Sequence, residues 1–95
     1  MKIVVEQGAA NWYKQEMGLS NGAHLRVFVR LGGCGSVHPG LSLGVTQETP
    51  RYAAVTTEAE GIVFFMEEDN VWYLEDKDLH IRFDNQNEDI VMTVE

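Results

Sequence analysis

Arg26-Val27-Phe28-Val29-Arg30-Leu31-Gly32-Gly33-Cys34-Gly35-Ser36 is the stretch on which the reading of this chain turns. Its first part alternates. Leu25, Val27, Val29 and Leu31 fall on one side of an extended segment, and Arg26, Phe28 and Arg30 on the other, which is the period of two of a β-strand. Its second part sets Gly32, Gly33 and Gly35 around the only cysteine of the chain. Glycine supplies the positive-φ conformations of tight backbone and leaves the Cys34 sulfur little side-chain cover. Beyond Pro39-Gly40, Leu41, Leu43 and Val45 alternate with Ser42, Gly44 and Thr46, so a second strand begins and the glycine loop joins two strands expected to pair.

Outward from this centre the pattern continues in short elements. Lys2 to Val5 reads as a strand. Ala9, Trp12, Tyr13 and Met17 recur at helical spacing with Gly18 at the C-cap, an amphipathic helix with its aromatics inward. Tyr52 to Thr57 and Ile62 to Met66 read as strands around a Glu60-Gly61 hairpin turn. Glu68 to Glu75 carries Val71, Trp72 and Leu74 and reads as a short helix capped by Asp69. Leu79, Ile81 and Phe83 alternate in a further strand, Asn85-Gln86-Asn87 turns the chain, and Ile90, Met92 and Val94 form the last strand. The expected class is α+β: mostly antiparallel sheets with an N-terminal amphipathic helix and one short helix, in a single domain over residues 1–95.

Composition narrows the function classes. An apolar content of 44% and a charged content of 23% are those of an ordinary soluble domain. One cysteine permits no intrachain disulfide, and Glu6 interrupts an N-terminal apolar run too short for a secretory signal, so a cytoplasmic location is expected. No apolar stretch is long enough to span a bilayer, and no membrane partner is expected. The net charge of −8 is unevenly placed: charges balance up to Phe65, and from Met66 onward ten acids face only Lys77 and Arg82. Such a surface repels phosphate backbones, so no nucleic-acid partner is expected; a solvated acidic face or docking to a basic partner both account for it.

Cys34 is the first candidate for chemistry. Backbone N–H groups of a glycine-rich turn form an anion nest that lowers a thiol pKa, but a small residue filling a tight corner explains the same sequence. His38, four residues on, makes a Cys-x3-His pair that offers two ligands to zinc or iron, with no second pair to complete a site. Cys34 with His38 also has the composition of a nucleophile and base, yet so small a domain leaves little room for a substrate pocket, and no enzyme is expected. Asp84-Asn85-Gln86-Asn87-Glu88-Asp89 starts like a calcium loop but lacks the glycine at its sixth position.

The run from Arg26 to Ser36, followed by Pro39-Gly40-Leu41-Ser42-Leu43, resembles the signature of the HesB/IscA-like family, the A-type proteins of iron–sulfur cluster biogenesis. Gly61-Ile62-Val63-Phe64-Phe65, Val71-Trp72-Tyr73-Leu74 and Leu79-His80-Ile81-Arg82-Phe83 follow that family's order. The resemblance implies a HesB-like fold, a role in iron–sulfur assembly or iron handling, and proteins of that machinery as partners. It makes Cys34 the sole thiolate ligand, held in the loop of Gly32, Gly33, Gly35 and Ser36, while His38 stays a candidate metal ligand by its spacing alone. Family members that carry clusters have a Cys-Gly-Cys tail. This chain ends Ile90-Val91-Met92-Thr93-Val94-Glu95, so it is similar to a short single-cysteine branch. Iron or a cluster would then be shared between the subunits of a homodimer, with glutathione or His38 completing the ligands, or would be absent. The alternative is a non-enzymatic protein-binding module that kept the fold and lost cluster binding.

Overall fold

The structure is a computed structural model that describes residues 1–32 and 38–95. Its elements are β1 (Ile3–Val5), α1 (Gln7–Glu16), β2 (His24–Leu31), β3 (Leu41–Gln47), β4 (Ala53–Ala59), β5 (Ile62–Glu67), a 3-10 helix at Val71–Leu74, β6 (Leu79–Asp84) and β7 (Asp89–Val94). The α+β class holds, and the adjacent pairs β2–β3, β4–β5 and β6–β7 are antiparallel as the sequence implies. The sheets are mostly antiparallel as expected, in three of the five strand pairings among the described residues, but both sheets are mixed. One is ordered β1-β6-β7, with β1 parallel to β6, and the other β3-β2-β5-β4, with β2 parallel to β5. Alternation within a strand is indifferent to its partner's direction, so the sequence pattern carries no record of these two parallel contacts.

The core lies between the sheets and α1. The four-stranded sheet contributes Leu25, Val27, Ile62, Phe64 and Met66, and the three-stranded sheet Ile3, Leu79 and Ile81. Tyr73 and Leu74 of the 3-10 helix join them, as do Ala9, Ala10 and Tyr13 of α1. β5 is buried on both faces: Phe65, pointing away from this core, is as fully buried as Phe64, which explains the unbroken apolar run Ile62 to Met66 of a central strand. Ala9 and Tyr13 are buried and Trp12 packs against the core, as the helical spacing predicts. Ala10 is buried, whereas Met17 lies beyond the last helical residue and is exposed. Gly18 has the left-handed φ of 59° that ends the helix, and the Leu19 N–H donates back to the Lys14 carbonyl.

The two ends of the four-stranded sheet are built differently. At one end Ala59 pairs with Ile62 across Glu60 and Gly61, whose φ values of 52° and 78° are both left-handed, as in a type I′ turn. The Gly22 N–H donates to the Gly61 carbonyl at 2.7 Å, and Lys14 Nζ donates to Asn21 Oδ1 and to the Glu60 carbonyl. At the other end the β2–β5 register stops at Arg26↔Phe65, while β2 and β3 continue together to Leu31↔Leu41. The strands project there as a two-stranded ribbon. The Val29 N–H, on the edge that β5 has left, is taken by Asn70 Oδ1 at 3.1 Å.

The short helix expected over Glu68 to Glu75 is a single 3-10 turn, and Asp69 is not its cap. Asn70 occupies the cap position without a side-chain capping bond, its amide being engaged on β2. Asp69 acts through its backbone carbonyl, which accepts from Trp72 Nε1 at 3.0 Å.

Candidate functional site

The projecting end of β2 and β3 carries the residues that the sequence singles out. Gly32 has a φ of 92°, and its N–H donates to the Gly40 carbonyl at 2.8 Å; the Leu41 N–H donates to the His38 carbonyl. These bonds draw both ends of the glycine loop together. Gly33, Cys34, Gly35 and Ser36 lie outside the described residues, so the ligand, nucleophile and loop roles expected of them stand on the sequence alone.

His38 is placed, and it meets aromatic rings and a carboxylate. Its ring centroid lies 4.9 Å from that of Tyr73 and 5.5 Å from that of Trp72, and its Nε2, shielded from solvent, is 3.3 Å from Glu75 Oε1. That carboxylate, near the nitrogen but without hydrogen-bond geometry, comes from the far end of the 3-10 helix, where Glu75 and Asp76 both take left-handed backbone, with φ of 51° and 62°. His38 thus docks the root of the loop onto the 3-10 helix. Among the described residues no three His, Cys, Asp or Glu side chains gather as a metal would require. His24 instead sits edge-on to Phe65, and His80 Nε2 is 3.7 Å from Glu95.

The 3-10 helix divides its apolar residues sharply. Tyr73 and Leu74 enter the core, and burial raises the Tyr73 phenol above its ordinary pKa. Trp72 stays 52% exposed, beside His38. Leu31, on the strand that ends at the same loop, is 88% exposed. Sequence reasoning missed both as surface residues. The signal for Trp72 was present: a four-residue turn, Val71-Trp72-Tyr73-Leu74, cannot turn all its apolar side chains inward. That for Leu31 was not, because it continues the core-facing alternation of β2 without a break.

A cleft of about 420 Å³ opens on the outer face of the four-stranded sheet, lined by Arg26, Glu48, Arg51, Tyr52, Glu67, Glu68 and Asp69. Its charges answer one another. Arg26 Nη1 donates to Glu48 Oε2 at 3.1 Å, and the Glu67 carboxylate accepts the backbone N–H groups of Arg51 at 2.8 Å and Tyr52 at 2.6 Å. Those two bonds, with the nearby Arg26 and Arg51 charges, hold the Glu67 pKa below the usual carboxylate range against the opposing effect of burial. The cleft fixes the segment entering β4 and presents no gathered set of reactive groups.

No helix of the described residues is long and apolar enough to cross a membrane. No family model matches the chain. Over 83 residues it is 46% identical to a protein of Bacillus subtilis (strain 168) named pyruvate dehydrogenase inhibitor, a match that covers 87% of each chain. This finding corrects the HesB/IscA-like identification and the iron–sulfur assembly or iron-handling role drawn from it. The run into Gly-Gly-Cys was the specific part of that resemblance, and a strand followed by glycines is a common pattern between paired strands. The relative's name is that of an inhibitor, in agreement with the expectation that the chain is not an enzyme.

Proposed function

Because this chain belongs to the family of the Bacillus subtilis pyruvate dehydrogenase inhibitor, we propose that it is a non-enzymatic regulatory protein that binds pyruvate dehydrogenase and lowers its activity. One observation carries this reading: 46% identity sustained across 87% of both chains, far beyond any single loop or motif. The architecture supports it. Arg26 pairs with Glu48 within the cleft, and large apolar side chains, Leu31 and Trp72, stand exposed at the projecting end of the four-stranded sheet and on the 3-10 helix. Exposed aromatic and aliphatic residues of that kind are the currency of protein association. The homodimer and the metal-free binding module of the sequence reading both remain compatible with inhibition by contact.

The test is a titration of the purified protein into pyruvate dehydrogenase from the same host, with initial rates and direct binding followed together. Saturable binding with a dose-dependent fall in rate is expected. Neither binding nor inhibition up to about 100 μM would overturn the proposal, since that corresponds to an affinity too weak for a dedicated regulator.

A further inference from the structure

Leu31 and Trp72 come from separate parts of the chain and are both large, apolar and exposed, by 88% and 52%. They are brought to one end of the molecule by particular contacts. Asn70, immediately before the 3-10 helix, bonds the Val29 N–H two residues ahead of Leu31. His38, at the root of the glycine loop, packs against Trp72 and Tyr73. The Trp72 indole is further held by the bond from its Nε1 to the Asp69 carbonyl. Such fixing of an exposed tryptophan removes in advance the ordering cost that a partner would otherwise impose.

Carboxylates flank Trp72 along the sequence, although Asp69 lies 4.0 Å from Arg26 and Glu75 3.3 Å from His38. Glu68 and Asp69 precede the 3-10 helix, Glu75 and Asp76 follow it, and all four are exposed. Lys77 is the one cation in this stretch of sequence, and Arg30 lies beside Leu31 on β2. An apolar centre with a carboxylate rim selects a partner whose own apolar patch is ringed by lysine or arginine, because like charges opposed across an interface exclude the alternatives. Resting on the reading given under Proposed function, we infer that the surface centred on Leu31 and Trp72 is the docking face for pyruvate dehydrogenase, and that it seats against a basic, apolar-centred patch of that enzyme. The tryptophan is the anchor and the carboxylates steer the encounter.

The experiment measures affinity for purified pyruvate dehydrogenase with the wild-type chain and four variants, each checked for its far-UV circular dichroism and Tm. Leu31→Lys and Trp72→Lys place positive charge against the inferred basic patch. Each is expected to weaken binding on the order of tenfold or more. Glu75→Lys combined with Asp76→Lys is expected to slow association and to flatten the salt dependence of the wild type. Val91→Lys, at an exposed apolar position on β7 in the other sheet, is expected to bind within about twofold of wild type.

Wild-type affinity retained by Leu31→Lys overturns the inference while leaving the functional reading intact. Should Trp72→Lys prove misfolded, Leu31→Lys decides alone, since so exposed a side chain contributes little to folding. An equal loss in Val91→Lys also overturns it, by showing that the effect is not local. Sedimentation of the same proteins supplies the last arm. A wild-type dimer that Leu31→Lys converts to a monomer with unchanged enzyme binding assigns the face to a second copy and refutes the enzyme as occupant. A wild type that neither binds nor inhibits refutes the functional reading itself, and this docking face with it.

Discussion

The two ends of the four-stranded sheet solve the same problem at very different lengths. β4 and β5 are joined by Glu60 and Gly61 alone, and that turn is tied down by Gly22, Asn21 and Lys14. β2 and β3, neighbours in the same sheet, are joined through residues 32–40, and their last pair, Leu31↔Leu41, stands beyond the reach of β5. Two residues suffice to connect antiparallel strands. The longer connection leaves Leu31 88% exposed, where a partner can cover it. On the docking face inferred above, the closed end serves stability and the open end recognition, and substitutions at the two ends should separate those properties.

Gly61→Val should have the largest effect on folding. The position has a φ of 78°, which a β-branched residue adopts only under strain, and a Cβ there would lie 2.5 Å from Asn21 Oδ1. Strain and the forced contact together are expected to cost about 3 kcal/mol. Denaturant titration should register that loss, while the affinity of the fraction that remains folded for pyruvate dehydrogenase stays at the wild-type value. A variant as stable as wild type would show that the closed end tolerates what its geometry forbids.

Asn70→Ala comes next, and it acts on the joint between the two regimes. Its Oδ1 is the acceptor for the Val29 N–H and lies 3.4 Å from Arg26 Nη2, so removal strands a half-buried backbone donor where β2 leaves the sheet. A loss of about 1–2 kcal/mol is expected. Weaker binding should accompany it, because the same amide ties the strand of Leu31 to the turn of Trp72. Loss of stability with undiminished binding would mean that the two residues need no such coupling.

Glu67→Gln sharpens the comparison through pH. The folded state holds the Glu67 pKa below its ordinary value of 4.5, chiefly through the N–H groups of Arg51 and Tyr52. A depressed folded pKa gives stability that is complete above the unfolded value and is lost as pH falls through the folded one. The Tm of Glu67→Gln should thus fall below that of wild type near neutral pH, and the gap should narrow as the pH drops below about 4. A gap of constant width across that range would place the effect in packing rather than in the carboxylate.

Much of this was legible beforehand. Strand alternation located β2, β3, β6 and β7, and Glu60-Gly61 announced the turn between β4 and β5, because side-chain period and left-handed backbone are local properties. The parallel contacts β1–β6 and β2–β5 were not legible, since nothing in Ile3 or Leu25 records the direction of a strand far away in sequence. Asn70 escaped notice for a related reason: beside an acidic run it reads as a turn or cap residue, and only the fold shows that its amide is spent on Val29. The family was misread because only a short run, Gly32-Gly33-Cys34, was specific to it. Identity across 83 residues weighs the whole surface instead.

Leu31→Ser is the smallest expected effect on folding and the most telling. Leu25 and Leu31 lie on the same face of β2, and the alternation treats them alike, yet Leu25 is fully buried and Leu31 is 88% exposed. Truncating a buried leucine of the first kind costs roughly 2–5 kcal/mol, whereas an exposed one should move stability by no more than about 0.5 kcal/mol. The same Leu31→Ser protein should bind pyruvate dehydrogenase several-fold less tightly, for a side chain kept out of the core contributes only where a partner covers it. Equal stability and equal binding would reduce Leu31 to a scattered surface apolar residue, and the contrast between the two ends of the sheet would then concern loop length alone.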